Sequence, residues 1–272
     1  GYKGPCVVTT HGIAEKDALF ARQPFPKIRS CIIKIIENAA RKRVKHHILI
    51  SPYAKEILPN VLKGEVRYIE NPVPAEFFKI KRGNFKNTLL YVGRISDLKN
   101  ITGLIKVFSQ VSNSIDDCQL RICGSIENQD YYQECNILIK KLKLEEKVIF
   151  VGSVNRQDLK FELKMASALV LLSKQEMAPM VIEEAMAVGL PIVASKICGI
   201  PYMIKHGVTG YQVDINNSSQ VAPYLIDLLC KRNKNLKMGA DGRVVARERF
   251  HADKVIDTTK KYYSDIINES IK

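Results

Sequence analysis

Two glutamates, Glu176 and Glu184, stand in the stretch SKQEMAPMVIEEAMAVGLP, which opens on Ser173 just before the first and closes on Pro191 just after its helical part. A carboxylate accepts hydrogen bonds from two vicinal hydroxyls at once, as an acidic residue does for a ribose in dinucleotide folds. Two cations, Arg94 and Lys99, lie in YVGRISDLKNITGLIKVF. Charge-assisted contacts from such a pair hold a diphosphate without a metal. His11, in TTHG, can donate a hydrogen bond to a sugar hydroxyl or shuttle a proton. Taken by spacing alone, the same residues also fit two solvated glutamates, two surface cations and a structural histidine.

These groups need elements to position them. SALVLLS (167–173) is an apolar run of strand length, and PMVIEEAMAVG (179–189) has a helical pattern. Pro179 is compatible with a first helical turn and Gly189 with a left-handed cap. The loop at Met177, Ala178, Pro179, Met180 and Val181 therefore meets a helix N-terminus, whose free N–H groups and partial positive charge suit a diphosphate or sugar hydroxyl. Glu176 is expected in the loop and Glu184 on the helix. Arg94 follows a strand ending in Gly93, and Lys99 precedes a helix of apolar period.

Short β-branched runs alternate with helical patterns along the whole chain, which predicts an α/β fold with parallel sheets. Strands are expected at 6–10, 47–51, 66–70, 88–93, 119–124, 147–152, 168–173 and 191–195. Gly93, Gly124 and Gly152 close three of them, where ligands of doubly wound folds bind and backbone must come close; plain turn chemistry explains them equally. No GxGxxG and no GxxxxGK[ST] occurs. NPVPAEFFKIKRGNFKN (71–87) reads as an interdomain linker. No internal repeat or low-complexity tract is present.

The 272 residues are 46% hydrophobic with a mean hydropathy of −0.09, which fits a globular chain of two domains, and no apolar run reaches membrane-spanning length. Seven cysteines form no CxxC pair and are expected as reduced core residues in a cytoplasmic protein. The histidines show no zinc spacing, so no metal site is expected. Net charge is +14, and residues 1–87 carry most of it, with 17 Lys and Arg against 7 Asp and Glu. The densest part, 27–47, alternates Ile28, Ile32, Ile35 and Ile36 with Lys34, Arg41, Lys42 and Lys45. It reads as a packed helix with a solvated basic face, or as a surface for anionic membrane or a polyanion. Nucleic acid is disfavoured, because no aromatic platform is interleaved with those cations.

VGRISDLKN, VIFVGSV, LLSKQEMAPMVIEEAMAVGLPIVAS, GIPYMI and HGVTGYQV, in this order, resemble the C-terminal domain of family 4 glycosyltransferases over about residues 88–252. Residues 1–87 are similar to the last part of that family's N-terminal domain, in TTHG, ISPYAKE and ENPVPAEFF. The resemblance implies a GT-B architecture, with two Rossmann-like domains, parallel sheets and the donor in the cleft between them. Its parts are residues 1–75 of an incomplete N-terminal domain, a linker at 76–87, a nucleotide-sugar domain at 88–252, and a C-terminal helix at 253–272 returning to the first domain. Roughly the first third of the N-terminal domain is then expected to precede this sequence, and the fragment alone is expected to be inactive.

By the same resemblance Arg94 and Lys99 clamp the donor diphosphate, Glu184 meets the nucleotide ribose, Glu176 meets the donor hexose, and His11 lines the cleft near the transferred sugar. Met177–Val181, with Gly93 and Gly124, border the donor. The implied reaction is retaining transfer of a hexose from a nucleoside diphosphate sugar, with a UDP-sugar as the leading expectation, to a glycan or lipid-linked acceptor in cell-surface polysaccharide biosynthesis. Neither a cofactor nor a metal is implied, and the implied place is the cytoplasm or the inner face of the membrane. Two departures stand out: Met177, Ala178, Pro179 and Met180 replace a usual E-G-F-G, and Tyr202 replaces a usual Glu. A nucleotide-sugar epimerase of the same architecture and an inactive donor-binding domain are the rival readings.

Overall fold

The computed structural model describes residues 4–20, 22–82 and 87–271. Strands β1 (Val7–Thr10), β2 (His46–Leu49) and β3 (Glu65–Tyr68) form a parallel sheet in that order. Strands β4 (Thr88–Val92), β5 (Gln119–Cys123), β6 (Val148–Gly152), β7 (Ala168–Leu171), β8 (Ile192–Ser195) and β9 (Gly210–Val213) form a second, all-parallel sheet in the order β6-β5-β4-β7-β8-β9. The helices are α1 (Ala14–Asp17), α2 (Pro26–Arg41), α3 (Tyr53–Ile57), α4 (Ile101–Ser112), α5 (Gln129–Lys141), α6 (Arg156–Met165), α7 (Met180–Val188), α8 (Val221–Cys230), α9 (Arg232–Arg249) and α10 (Ala252–Ile271). The expected α/β class with two parallel sheets is therefore the observed one.

The second sheet is built as its sequence demands. β7 and β8 are buried along their whole length because every residue of ALVL and IVAS is small or apolar enough to face a helix layer on either side. Helix starts are set by side-chain caps: Asn128 accepts from the Tyr131 amide at 2.8 Å, and Asn155 from those of Gln157 and Asp158 at 2.8 and 3.0 Å. α7 stops at Gly189, whose φ of 80° is the left-handed conformation that a side chain disfavours. Pro179 stands just outside that helix, as its N-cap residue, rather than in the first turn.

Segment 71–87 is more than a tether. Val73, Phe77 and Phe78 are buried, Arg82 donates to the carbonyls of Gly189 (2.6 Å) and Ala166 (2.8 Å), and Arg243 donates to those of Ile80 and Phe78. Its described part thus belongs to the packing of the second sheet; residues 83–86 lie outside the described residues. α10 crosses back, setting Val255, Tyr262 and Ile266 against Ile48 of β2 and Ile69 just after β3.

Two expectations need correcting. The 27–47 region does form a helix, but Ile28, Ile32, Ile35 and Ile36 face outward at 59%, 52%, 64% and 63% exposure. The inner side of α2 is instead polar: Ser30 donates to the Glu15 carbonyl at 2.6 Å, and buried Arg41 pairs with Glu37 at 2.5 Å. Arg41 also lies 3.9 Å from Glu15 of α1, so its buried charge draws this side of α2 against α1. The cysteines are all free, yet only Cys118, Cys123 and Cys135 are core residues; Cys6, Cys31 and Cys230 are exposed. Cys31 shares the outward side of α2 with the isoleucines, and Cys230 ends α8. Among the described residues no helix is long and apolar enough to cross a membrane.

Candidate functional site

β4 and β7 are neighbours in the second sheet although two strands and three α-helices separate them in sequence, so their carboxyl ends meet where the strand order reverses. That reversal is the place where open α/β sheets bind ligands. The turn after β4 carries Arg94 and Lys99, and the loop after β7 carries Ser173 to Pro179. The two are laced together: the Lys174 amide donates to the Leu98 carbonyl at 2.8 Å, and the Asn100 side chain donates through Nδ2 to the Leu172 carbonyl at 3.0 Å. At their meeting point Glu176 Oε1 accepts from Lys99 Nζ at 2.6 Å and from Ser173 Oγ at 2.7 Å. With only 15% and 8% of the two charged side chains exposed, Lys99 and Glu176 neutralise one another in a largely desolvated site. The Gly199 amide holds the Glu176 carbonyl at 3.0 Å, which fixes the loop backbone from the β8 side.

The first sheet faces this point with the end of β1 and with α1. His11, Asp17, Arg94, Lys99, Glu176 and Met177 line one cavity of about 150 Å³. Asp17 Oδ1 accepts from Gln175 Nε2 at 3.0 Å. Burial pushes the Asp17 carboxyl up from its ordinary range, while Lys99 and Arg94 pull it back. Arg94 is held outside the pair, its Nη1 donating to Glu127 Oε1 at 2.6 Å, with both side chains about half exposed. Above it Arg22 forks onto Asp97 and onto Glu134, tying the segment before α2 to the turn after β4 and to α5.

The other residues singled out from sequence stand around this cavity rather than in its lining. Glu184 is partly buried on α7; burial pushes its carboxyl up to about 7, while Arg156 pulls it down. No hydrogen bond to it is present among the described residues, so its oxygens are open to hydroxyl donors. Ala178 and Val181 are buried beside Met177, Met180 is exposed, and Pro179 carries no N–H; the amides that α7 can offer are those of Met180 and Val181, since that of Ile182 donates to the Pro179 carbonyl at 2.9 Å. Gly93 and Gly124 shape the strand ends: a Cβ on Gly124 would lie 1.9 Å from the Gly93 carbonyl oxygen, so the two backbones touch. Tyr202 hydrogen-bonds Glu56 of α3, and its carbonyl accepts from Arg249 Nη1 at 2.9 Å, which makes this departure a tie between the two halves.

Sequence reasoning passed over Asp17, Gln175, Glu127 and Glu183. Glu183 is 1% exposed; Asn71 Nδ2 reaches its Oε1 at 3.5 Å, its Oε2 has no hydrogen-bond partner among the described residues, and burial with the nearby Glu70 pushes it up to about 9. Only the helical phase separates it from Glu184, and the apolar residues on both sides of EE hide that phase. Asp17 ends α1, Gln175 and Glu127 lie in two different loops, and the three carry no spacing signal.

Residues 73–245 match the family model of glycosyl transferases group 1. The chain is 29% identical over 184 residues to N-acetyl-alpha-D-glucosaminyl L-malate synthase of Bacillus anthracis, covering 66% of this chain and 46% of that protein. It is 24% identical over 249 residues to the capsular polysaccharide biosynthesis glycosyltransferase CapM of Staphylococcus aureus, covering 88% of this chain and 63% of that protein. Among solved structures, Anabaena Alr3699/HepE in complex with UDP and glucose superposes with a TM-score of 0.81 at 20% identity, over 96% of this chain and 71% of that one. Sucrose-phosphate synthase from Thermosynechococcus elongatus gives 0.83 at 22% identity, over 97% and 68%. The chain spans about half the length of the first curated relatives it matches. With that match covering well over half of its residues, the chain belongs to the glycosyl transferases group 1 family.

Proposed function

We propose that this chain is the donor-binding part of a retaining family 4 glycosyltransferase that moves a hexose from a UDP-sugar to a hydroxyl of a glycan or lipid-linked acceptor, in cell-surface polysaccharide biosynthesis. The observation that carries the reading is the meeting of Lys99, Glu176 and Arg94 at the strand-order reversal, opposite His11. In this reading Arg94, Lys99 and the α7 N-terminus stabilise the departing diphosphate, and no metal takes part. Glu127 gives Arg94 up at small cost, because their pair is half exposed. Glu176, held by Lys99 and Ser173, accepts from hexose hydroxyls, and Glu184 accepts from the ribose. His11 donates to a sugar hydroxyl. The acceptor attacks on the face that the diphosphate leaves, a phosphate oxygen takes its proton, and the anomeric configuration is kept. The UDP and glucose in the HepE structure support the choice of donor.

The test begins with nucleotide sugars in a thermal-shift panel, where a donor at a hundredfold over its dissociation constant adds about 2.7 kcal/mol of stability. Lys99→Ala and Glu184→Ala are each expected to remove most transfer, and wild-type rates from both overturn the assignment.

The outward isoleucines of α2, with Phe25 beside them and Lys27, Lys34 and Lys42 around them, support a second element of this reading, contact with the anionic inner face of a membrane. Flotation with anionic vesicles is expected to carry the wild type and to leave the Ile32→Ser, Ile36→Ser double variant in the soluble fraction. A wild type that stays soluble refutes the contact.

A further inference from the structure

The loop between Glu176 and α7 is held from two sides, and one of them is the segment that joins the halves. On the β8 side the Gly199 amide grips the Glu176 carbonyl, and a Cβ on Gly199 would lie 1.6 Å from the Met177 carbonyl oxygen, so the two backbones touch. On the other side buried Asn71 donates from Nδ2 to the Ala178 carbonyl at 3.3 Å and to Glu183 Oε1 at 3.5 Å. We propose that Asn71 is a positioning residue for the donor diphosphate: by holding the Ala178 carbonyl it sets the direction in which the Met180 and Val181 amides point. The proposal rests on the donor reading above, which gives the α7 N-terminus to the diphosphate.

Local chemistry leaves this task to Asn71. The peptide unit between Ala178 and Pro179 has no N–H, so its carbonyl oxygen is the one polar atom by which it can be held. Among the described residues no other donor reaches that oxygen. α5 and α6 start on Asn128 and Asn155, whose side chains accept from the first amides, whereas α7 starts on Pro179 with no side-chain cap. The amides of Met180 and Val181 therefore stay open to a ligand, and their aim depends on the peptide just before them. Nδ2 carries two hydrogens, and the second reaches Glu183 in the first turn of α7, so one amide group spans the break between loop and helix.

Asn71 is itself fixed, because its neighbours are anchored where the two connections between the halves meet. Glu70 accepts from Arg249 Nε at 3.0 Å. The Val73 amide donates to the Phe250 carbonyl at 2.7 Å, and the Val73 carbonyl accepts from the Ala252 amide at 3.0 Å. These bonds join the start of segment 71–82 to the turn between α9 and α10. From that point Asn71 reaches a loop 107 residues away in sequence.

The test uses the full chain, with UDP in calorimetry, thermal melts, and hydrogen exchange at the Ile182 amide, the one bonded to the Pro179 carbonyl. Wild type is expected to bind UDP. Asn71→Ala should weaken UDP at least fivefold and speed exchange at Ile182 more than in β7. Asn71→Gln, which keeps the amide on a longer arm, should recover part of the affinity. Val73→Ala truncates a buried side chain of the same segment and leaves the loop's hydrogen bonds in place; it should melt earlier and keep UDP affinity within twofold of wild type. Where Asn71→Ala melts too early for calorimetry, Asn71→Ser, whose hydroxyl falls short of the loop, takes its place with the same expectation. UDP affinity equal to wild type in the position-71 variants, or lost equally in these and in Val73→Ala, overturns the proposal while the donor reading stands. A wild type that binds no UDP instead overturns the donor reading on which it rests.

Discussion

The two halves of this chain use the same strand–helix alternation to opposite ends. In the six-stranded half every residue of β7 and β8 is buried, and α4 and α7 bury their apolar sides between sheet and solvent. In the three-stranded half β1 and β3 are only partly covered, α10 lies on the sheet, and α2 turns four isoleucines outward around a buried arginine. Stability and precision therefore reside in the second half, where the reversal of strand order fixes Lys99 on Glu176. The first half reaches the site by strand ends and a short helix, which bring His11 and Asp17 to a frame that already exists.

The contrast is broken most directly by truncating one apolar side chain in each half. Leu169→Ala, at the centre of β7, is expected to cost about 2–5 kcal/mol in urea unfolding. Ile36→Ala, on the outer side of α2, is expected to stay within about 0.5 kcal/mol of wild type, as surface changes do. Equal losses would mean that the two halves are equally packed.

Glu183 sharpens the comparison at the seam between the halves. The folded chain holds this proton up to about pH 9, whereas a carboxyl at its ordinary value of 4.5 has released it long before. In that window the folded state binds more protons than the unfolded one, so stability falls as pH rises. Glu183→Gln keeps the hydrogen bond from Asn71 and removes the ionisation. It is expected to gain about 2 kcal/mol at pH 8 and to flatten the slope of melting temperature against pH between 6 and 9. A variant less stable than wild type at pH 8 would show that the seam needs the charge.

Smallest is the brace across the cleft. Arg22 is about one-third exposed, and Arg22→Ala is expected to cost about 1 kcal/mol or less, while raising hydrogen exchange in the segment before α2 more than in the six-stranded half. Uniform exchange changes would place the brace elsewhere.

All eight expected strands are present, each shifted by at most about two residues at its ends. The ninth, β9, escaped because GYQV mixes a glycine and a glutamine into too short a run. That Arg94, Lys99 and Glu176 sit in loops after apolar strands was legible in the sequence, whereas spacing alone fitted solvated surface charges as well and only the family resemblance singled them out. Asp17 and Glu127 were not, since neither borders a patterned element in a way that points to the other's loop. The outward turn of α2 was also hidden: hydrophobic periodicity gives the stripe and its period, and it does not say whether a partner covers that stripe.

The sequence by itself determined the alternation of strands and helices, the parallel class of the sheets and the loops in which the charged residues sit, because backbone period and turn chemistry are local. Only the tertiary structure decided that β4 lies beside β7, that Lys99 therefore meets Glu176, and that Asp17 closes the site from the other half. Strand order is set by how helices cross over and pack the whole sheet, a property of the assembled layers that no single stretch of chain carries.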